Sequence, residues 1–574
     1  MNTSNSFLSI VLLSVACLTA QTTGVIQGVV KDSSGLPIQG VTVRVESTQT
    51  GDARESATND QGRYRILSLL PSVYRVEVRH TGFSPLQRDG IALNAGRSVE
   101  VDLHLQISST TETVVVNAAP PLVSTDSKDW GRVIQSRQVN SLPLIGRDMF
   151  DLATQQSGTA VATNARNELF NGTGLKISIN GARPNQNSFR MDGIYMSDAA
   201  GMAPASAAGR LLGIESIQEL AIASSPFSAE FGRAAGSVIT AVSRSGGNDF
   251  HGSGYWFLRN NAMDARNFFD TEKTPPFRRH QFGGAFSGPI RKDRVFFLLN
   301  YESLREHRSR TQRALTLTAG ARQGILPVPG GATVTVPVNP IIVPYLNLYP
   351  MPNGRDFGDG TAEFISEATY RATENFGTAR GDIRFNDKLR TSLRYTEDDA
   401  NASEPDFFQF WKYLYTSRFR FISSETTYTT SASTIYSFRA GHSTVGNRQD
   451  ATPPPGIPPE LTFVPGRPMG NIAVTGLSDL TDQPARASPR VSRFNDLQFN
   501  GDVSHIRGIH TLRAGIGYDR LNFAQQSDLT AVGRYRFFSI DELLRVRPRS
   551  GEFMDPASDT SRRWAQHQYH FFFQ

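Results

Sequence analysis

Thiols are almost missing from this 574-residue chain: its one cysteine, Cys17, lies in an apolar N-terminal segment, and nothing after it can form a disulfide. A chain of this length has room for several domains and can bury enough core to fold without such staples. Long hydrophobic runs are also missing. No interior stretch approaches the roughly 20 apolar residues of a membrane helix, which excludes crossing a bilayer that way. The mean hydropathy of -0.32 and 39% hydrophobic content read as a soluble protein. A transmembrane β-barrel escapes that inference, because lipid-facing apolar and lumen-facing polar residues alternate and cancel in the average. There is no basic block: the net charge of +6 and pI near 9.3 come from scattered arginines, so no nucleic-acid partner is expected. Catalytic signatures are missing too. Without a GxSxG, P-loop, dinucleotide fingerprint or zinc motif, no enzyme activity, catalytic residue, metal or cofactor is expected.

What is present begins with FLSIVLLSVACL (7–18), too short to span a bilayer, followed by Thr19-Ala20-Gln21. This reads as a secretory signal peptide over 1–20, although its start has no Lys or Arg. Cys17 lacks the leucine three residues earlier that a lipidation site would carry, and so reads as an ordinary apolar cysteine.

Between 24 and 106 the chain alternates in short runs. Strands are expected at 25–30, 41–46, 64–67, 73–80 and 98–105, with turns at Asp32–Gly35, Asn59–Gly62 and Gly96. Val41, Val43 and Val45 share one face and Thr42, Arg44 and Glu46 the other, as in a small Ig-like β-sandwich. The wording GVVKDSSGLPIQGVTV, TNDQGRYRI and YRVEVRHTGF resembles the carboxypeptidase regulatory-like, carbohydrate-binding-like domain, a non-catalytic sandwich. His80 and His104 are its only histidines, and no HExxH or HxxE accompanies them, so a zinc peptidase is not expected.

Residues 107–119 read as a linker. Glu112, Thr113, Val114, Val115 and Val116 resemble a TonB box, an extended segment that in the family pairs edge-on with a periplasmic energy-transducing protein of TonB type. β-Branched residues favour that extended form. The other reading of the valines is the last strand of the sandwich or an interdomain strand.

From 120 to 247 a small α/β domain is expected. It has a short amphipathic helix after Gly146, with Met149, Leu152 and Ala153 on one face, and strands around Ile177, Ile179, Phe189 and Met191. Asp192 and Glu230 could be mistaken for an acid–base pair, but no nucleophile or metal ligand accompanies them, so both read as structural. The segments SINGARPNQNSFRMDGI (178–194), 214–259 and NNAMDARNFFD (260–270) resemble the plug-to-barrel junction of TonB-dependent outer-membrane receptors, in particular the Oar-like branch.

Beyond 248 the strands lengthen. Val295, Phe297, Leu299 and Tyr301 oppose Phe296, Leu298, Asn300 and Glu302; Ile383 and Phe385 oppose Arg380, Asp382 and Arg384; Leu389, Leu393 and Tyr395 oppose Arg390, Ser392 and Arg394; and 510–519 repeats the theme. Proline- and glycine-rich stretches such as 451–468 read as surface loops. The expected fold is mainly β: a sandwich, an α/β plug, then an incomplete antiparallel transmembrane barrel over 248–574. About eight strands are expected there, against about 22 in the family's plugged barrels. QHQYHFFFQ (566–574) resembles an interior strand of that barrel, which implies that the chain is an N-terminal portion.

The resemblance implies energy-coupled uptake across the outer membrane, with an unidentified extracellular ligand, outer-membrane lipid and a TonB-type protein as partners and the N-terminal domains in the periplasm. A surface adhesion or carbohydrate-binding protein without transport is the alternative.

Overall fold

A computed structural model describes residues 23–107, 114–116, 130–135, 147–155, 157–161, 176–198, 201–224, 234–266, 268, 270, 273–453, 456–481, 488–508, 510–528 and 530–574. The expected signal peptide over 1–20 with Cys17, the residues Glu112 and Thr113, and Glu230 lie outside them.

The N-terminal strands are β1 (Gly24–Asp32), β2 (Thr42–Ser47), β3 (Ala53–Ala57), β4 (Arg63–Leu69), β5 (Ser72–Arg79), β6 (Leu86–Leu93), β7 (Ser98–Glu100), β8 (Leu103–Leu105) and β9 (Val114–Val116). One sheet runs β4-β1-β7 with β8 also on β1, and the other runs β3-β2-β5-β6-β9. Val41, Val43 and Val45 meet Ile26, Val76 and Val78 between the sheets, all at most 1% exposed, as the alternation requires. The strand expected over 98–105 is two strands. The chain jogs at Val101, whose carbonyl passes so close to Gly28 that a Cβ there would lie 2.1 Å away. β3 and β6 were not expected: ARESA has no apolar alternation, and β6 contains Gly90 at φ 80°.

Next come β10 (Trp130–Gln135), a 3-10 helix (Met149–Gln155), β11 (Thr159–Val161), β12 (Ile177–Ile179), β13 (Ser188–Met191), β14 (Ile194–Tyr195), β15 (Ile217–Ser224) and β16 (Ser237–Ser243). The sheet order β10-β15-β16-β13-β14 mixes parallel and antiparallel pairs. The expected amphipathic helix is this 3-10 turn, with Phe150, Leu152 and Ala153 buried.

The rest is dominated by long strands: β17 (His251–Asn260), β18 (Phe277–Arg291) and β19 (Val295–Leu317), a loop hairpin β20 (Ile325–Pro327) and β21 (Thr333–Thr335), then β22 (Thr361–Arg384), β23 (Leu389–Pro405), β24 (Lys412–Ser431), β25 (Thr434–Thr452), β26 (Asn471–Val474), β27 (Arg490–Arg507), β28 (His510–Ser527), β29 (Arg534–Phe537), β30 (Ser550–Glu552) and β31 (Ser561–Phe573). Ten of these, β17-β18-β19-β22-β23-β24-β25-β27-β28-β31, form one antiparallel meander, where about eight were expected. Strands such as β25, TIYSFRAGHSTVGNRQDAT, carry His, Gly and Arg among their outward residues and so alternate weakly in sequence. Residues 566–573 lie in β31, paired with β28 at an edge of the described sheet.

β19 and β22, with 23 and 24 residues, far exceed the 9–11 or so needed to cross a bilayer. Their far ends enter a second core with Leu346, Tyr349, Leu543 and Leu544 from the long loops. At the opposite end the connections are short, as at Asn386–Lys388. One face of the meander curves around the plug. Leu298, Glu302 and Leu304 are buried on it, whereas Leu299 and Tyr301 on the other face are 52% and 49% exposed.

Candidate functional site

The plug is held first by apolar packing. Ile194, Leu212, Ile214, Leu220, Ile222 and Ile239 share one core with the inward residues Leu304, Phe376, Phe419, Phe421, Val445, Phe494 and Leu521 of the long strands. Each large side chain so buried contributes about 1.5–3 kcal/mol. Two glycines permit the approach. Gly441 sits where a Cβ would lie 2.4 Å from Ile194, and Gly213, at φ 95°, where one would lie 2.1 Å from Phe376.

Buried charges then fix the seating. Asp192 in the β13–β14 turn lies 3.2 Å from Arg394 and 3.9 Å from Arg380. Its carboxylate also accepts the Ser243 amide at 2.8 Å and the Ser243 hydroxyl at 2.7 Å. Arg380 is held in turn by Asp382 at 2.7 Å. A second cluster joins Arg147 to Glu215 at 2.6 Å and Glu302 at 3.5 Å, and Glu302 accepts the Gly213 amide at 3.0 Å. Higher in the lumen, Gln498 exchanges two hydrogen bonds with the Tyr195 backbone, at 3.0 and 2.7 Å. Asp192 is therefore a structural anchor. The arginines appeared in the sequence only as the polar face of a hairpin, with nothing local to identify their partner.

The sandwich sits on the short-turn end. Arg390 reaches Asp52 at 3.2 Å and donates to the Ser68 carbonyl at 2.7 Å, Arg384 donates to the Gly51 carbonyl at 3.2 Å, and the Asn248 amide donates to the Gln49 carbonyl at 2.8 Å. Val25 and Leu67 pack on Ile435 of β25. Sequence reasoning missed this docking, since exposed Arg and Asp in turns look like ordinary surface.

Glu219 of β15 ties the plug to the sandwich by accepting the Ala95 amide. Burial pushes its carboxyl up to about 7, which that hydrogen bond and nearby Arg97 offset only in part. A raised carboxyl binds its proton more tightly in the folded state than in the unfolded chain. Its contribution is thus fully present below the ordinary value of 4.5 and is lost as pH rises to about 7, by up to about 3 kcal/mol. The folded protein should therefore lose stability between pH 4.5 and 7 and level off above, read as a falling thermal midpoint, and Glu219→Gln should flatten that response. An unchanged profile in Glu219→Gln would remove Glu219 as its source.

Val114–Val116 form β9, paired in parallel with β6 in the register Leu86↔Val114, Gln87↔Val115 and Arg88↔Val116. This is the arrangement that the reading as a last sandwich strand requires. β9 ends its sheet, so one backbone edge carries no partner strand in the described sheet.

Residues 242–574 match the model of an outer membrane beta barrel domain, and residues 25–106 match that of a carboxypeptidase regulatory-like domain. The TonB-dependent transporter Oar of Myxococcus xanthus is 29% identical over 307 residues, 52% of this chain and 28% of that protein. This chain thus spans little more than a quarter of that relative. Among solved structures, the outer membrane transporter YddB from Escherichia coli aligns at a TM-score of 0.45 and 11% identity, covering 77% of this chain and 54% of its own. The ferric yersiniabactin uptake receptor FyuA from Yersinia pestis aligns at 0.42 and 9%, covering 77% and 61%. The chain belongs to the outer membrane β-barrel domain family, with a carboxypeptidase regulatory-like domain ahead of the barrel and a likeness to the Oar branch of TonB-dependent receptors, and its place is the outer membrane.

Proposed function

We propose that the protein acts in energy-coupled uptake of an extracellular ligand: long loops capture the ligand, the plug closes the lumen, and a TonB-type protein supplies the pull through residues 112–116. The observation that supports this most is the seating of the plug. Its apolar core, shared with the strands, is interrupted by the Asp192–Arg394–Arg380 and Arg147–Glu215–Glu302 clusters. Buried ion pairs add little net stability, but losing one partner leaves the other charge out of water and uncompensated, so displacing the plug carries a large penalty. The orientation follows the rule for such barrels, with short turns and the docked sandwich in the periplasm and long loops outside.

The extended β9 backbone, at the edge of its sheet, suits strand addition by the partner. Proline at position 115 would remove one backbone N–H and fix φ, which breaks main-chain pairing. Val115→Pro should abolish capture of the chain by the C-terminal domain of a TonB-type protein and eliminate energy-dependent uptake, while surface binding of the ligand persists. Undiminished capture by the Val115→Pro protein would show that the valines are a sandwich strand and nothing more.

A further inference from the structure

Two acids on the inner face of the meander meet inside the apolar packing that seats the plug. β22 and β23 pair with Glu374 opposite Ala400 and Phe376 opposite Asp398, which makes Glu374 and Asp398 diagonal neighbours on one face. On the flanking strands, Leu304 of β19 stands opposite Glu374 and Phe419 of β24 opposite Asp398. Leu304, Phe376 and Phe419 all belong to the core shared with the plug. Both acids are 0% exposed. None of their four carboxyl oxygens accepts a hydrogen bond from a described donor, yet the two carboxyls lie within hydrogen-bonding reach of each other.

A turn of the plug covers them. The Ser206 amide donates to the Arg210 carbonyl at 2.6 Å, and the Ala207 amide donates to Oγ of Ser417, which stands opposite Ala400, at 2.6 Å. Ser206 itself faces Glu374. The surrounding charges do not balance the pair. Arg210 acts on Glu374 but also on Asp148 and Asp151 of the plug. On β19, Glu302 is taken by Arg147 at 3.5 Å and Glu306 by Arg279 at 2.5 Å. Asp399 turns outward to Arg418 at 3.8 Å. Asp148, pushed up to about 8 by burial, adds another acid beside Asp398. Two bare carboxylates so placed have no hydrogen to share and repel each other in a medium that screens little.

We propose that Glu374 and Asp398 form a proton-binding site: one proton is held between the two carboxyls while the plug turn 206–210 covers them and is given up to water when that turn withdraws. In the seated state one carboxylic acid donates its O–H to the neighbouring carboxylate. On withdrawal water enters, the O–H bond breaks, the proton leaves on water, and two hydrated carboxylates remain. The seated state thus holds one more proton than the open one. Seating is favoured at low pH and weakens as pH rises above the ordinary carboxyl range near about 4, by up to about tenfold per pH unit. The site depends on the seating of the plug and not on whether the protein transports.

The test is infrared spectroscopy of the purified chain in detergent micelles at pH 7, which reads the C=O stretch of protonated carboxyls directly. Glu374→Gln and Asp398→Asn keep the shape of each side chain and supply an amide donor to the remaining carboxylate, so each should remove the same single band. The double variant should remove no more than either alone, because the proton is shared. Asp148→Asn should remove a separate band and leave this one. Amide exchange at Ala207, corrected for its intrinsic pH dependence, should lose up to about a factor of ten per pH unit from its slope in either single variant. The proposal is overturned if neither single variant removes a band, if their losses add in the double variant, if Asp148→Asn alone accounts for the band, or if the Ala207 slope is unchanged. Failure of both single variants to fold at acidic as well as neutral pH would overturn it too, since a pair that already holds one neutral partner accepts an amide in its place.

Discussion

Asp192→Ala is expected to unseat the plug. The substitution leaves Arg394 and Arg380, with side chains 3% and 7% exposed, facing each other without the carboxylate that lies between them. Removing one partner of a buried ion pair costs about 3–5 kcal/mol, because the surviving charge stays out of water uncompensated. The loss is compounded at Ser243, whose amide and hydroxyl both donate to Asp192. Amide exchange of β13 and β16, which pair in parallel beside this residue, should accelerate by two orders of magnitude or more, at about 1.4 kcal/mol per factor of ten. Asp192→Asn keeps an acceptor for Ser243 but no charge, and should fall between. Wild-type protection in Asp192→Ala would mean that the apolar core alone seats the plug.

Gln49→Cys with Gly247→Cys should lock the sandwich to the mouth of the barrel. A Cβ built on Gly247 lies 3.8 Å from the Cβ of Gln49, the mean separation found in disulfides. Gly247 is not in the left-handed region, and a Cβ there would lie 3.0 Å from the Gln49 carbonyl oxygen, so the two segments move apart by a few tenths of an ångström to take the bridge. The chain offers no thiol besides Cys17 to compete. The bridge closes a loop of about 200 residues, for which the chain-entropy model gives about 5 kcal/mol of stabilisation. Oxidation should therefore convert the protein to a faster-migrating band on non-reducing gels and suppress proteolytic release of the sandwich, and a reductant should reverse both. Under the proposed function the locked protein also loses uptake and regains it on reduction. Full uptake in the locked state would mean that the sandwich stays docked throughout the cycle.

The fold was legible where the physics is local. Alternating valines at 41, 43 and 45 identified the sandwich face, and the hairpin at 380–395 could be read residue by residue, because side chains on a strand alternate and a turn such as Asn386–Lys388 has its own chemistry. β3 was illegible because ARESA is shaped by its neighbours β2 and β4 and not by its own pattern.

The amino-acid sequence by itself determined that Arg380, Asp382 and Arg394 share the charged face of a hairpin and that 114–116 is extended. The tertiary structure decided what those residues meet. Asp192 reaches Arg380 and Arg394 across about 200 positions, Asp52 reaches Arg390 across more than 300, and the valines end on β6. The reason is physical. Alternation is a property of neighbouring residues and survives in any one strand, whereas the partner of a charge is set by which strands close around the plug. That closure depends on the register of all ten strands at once.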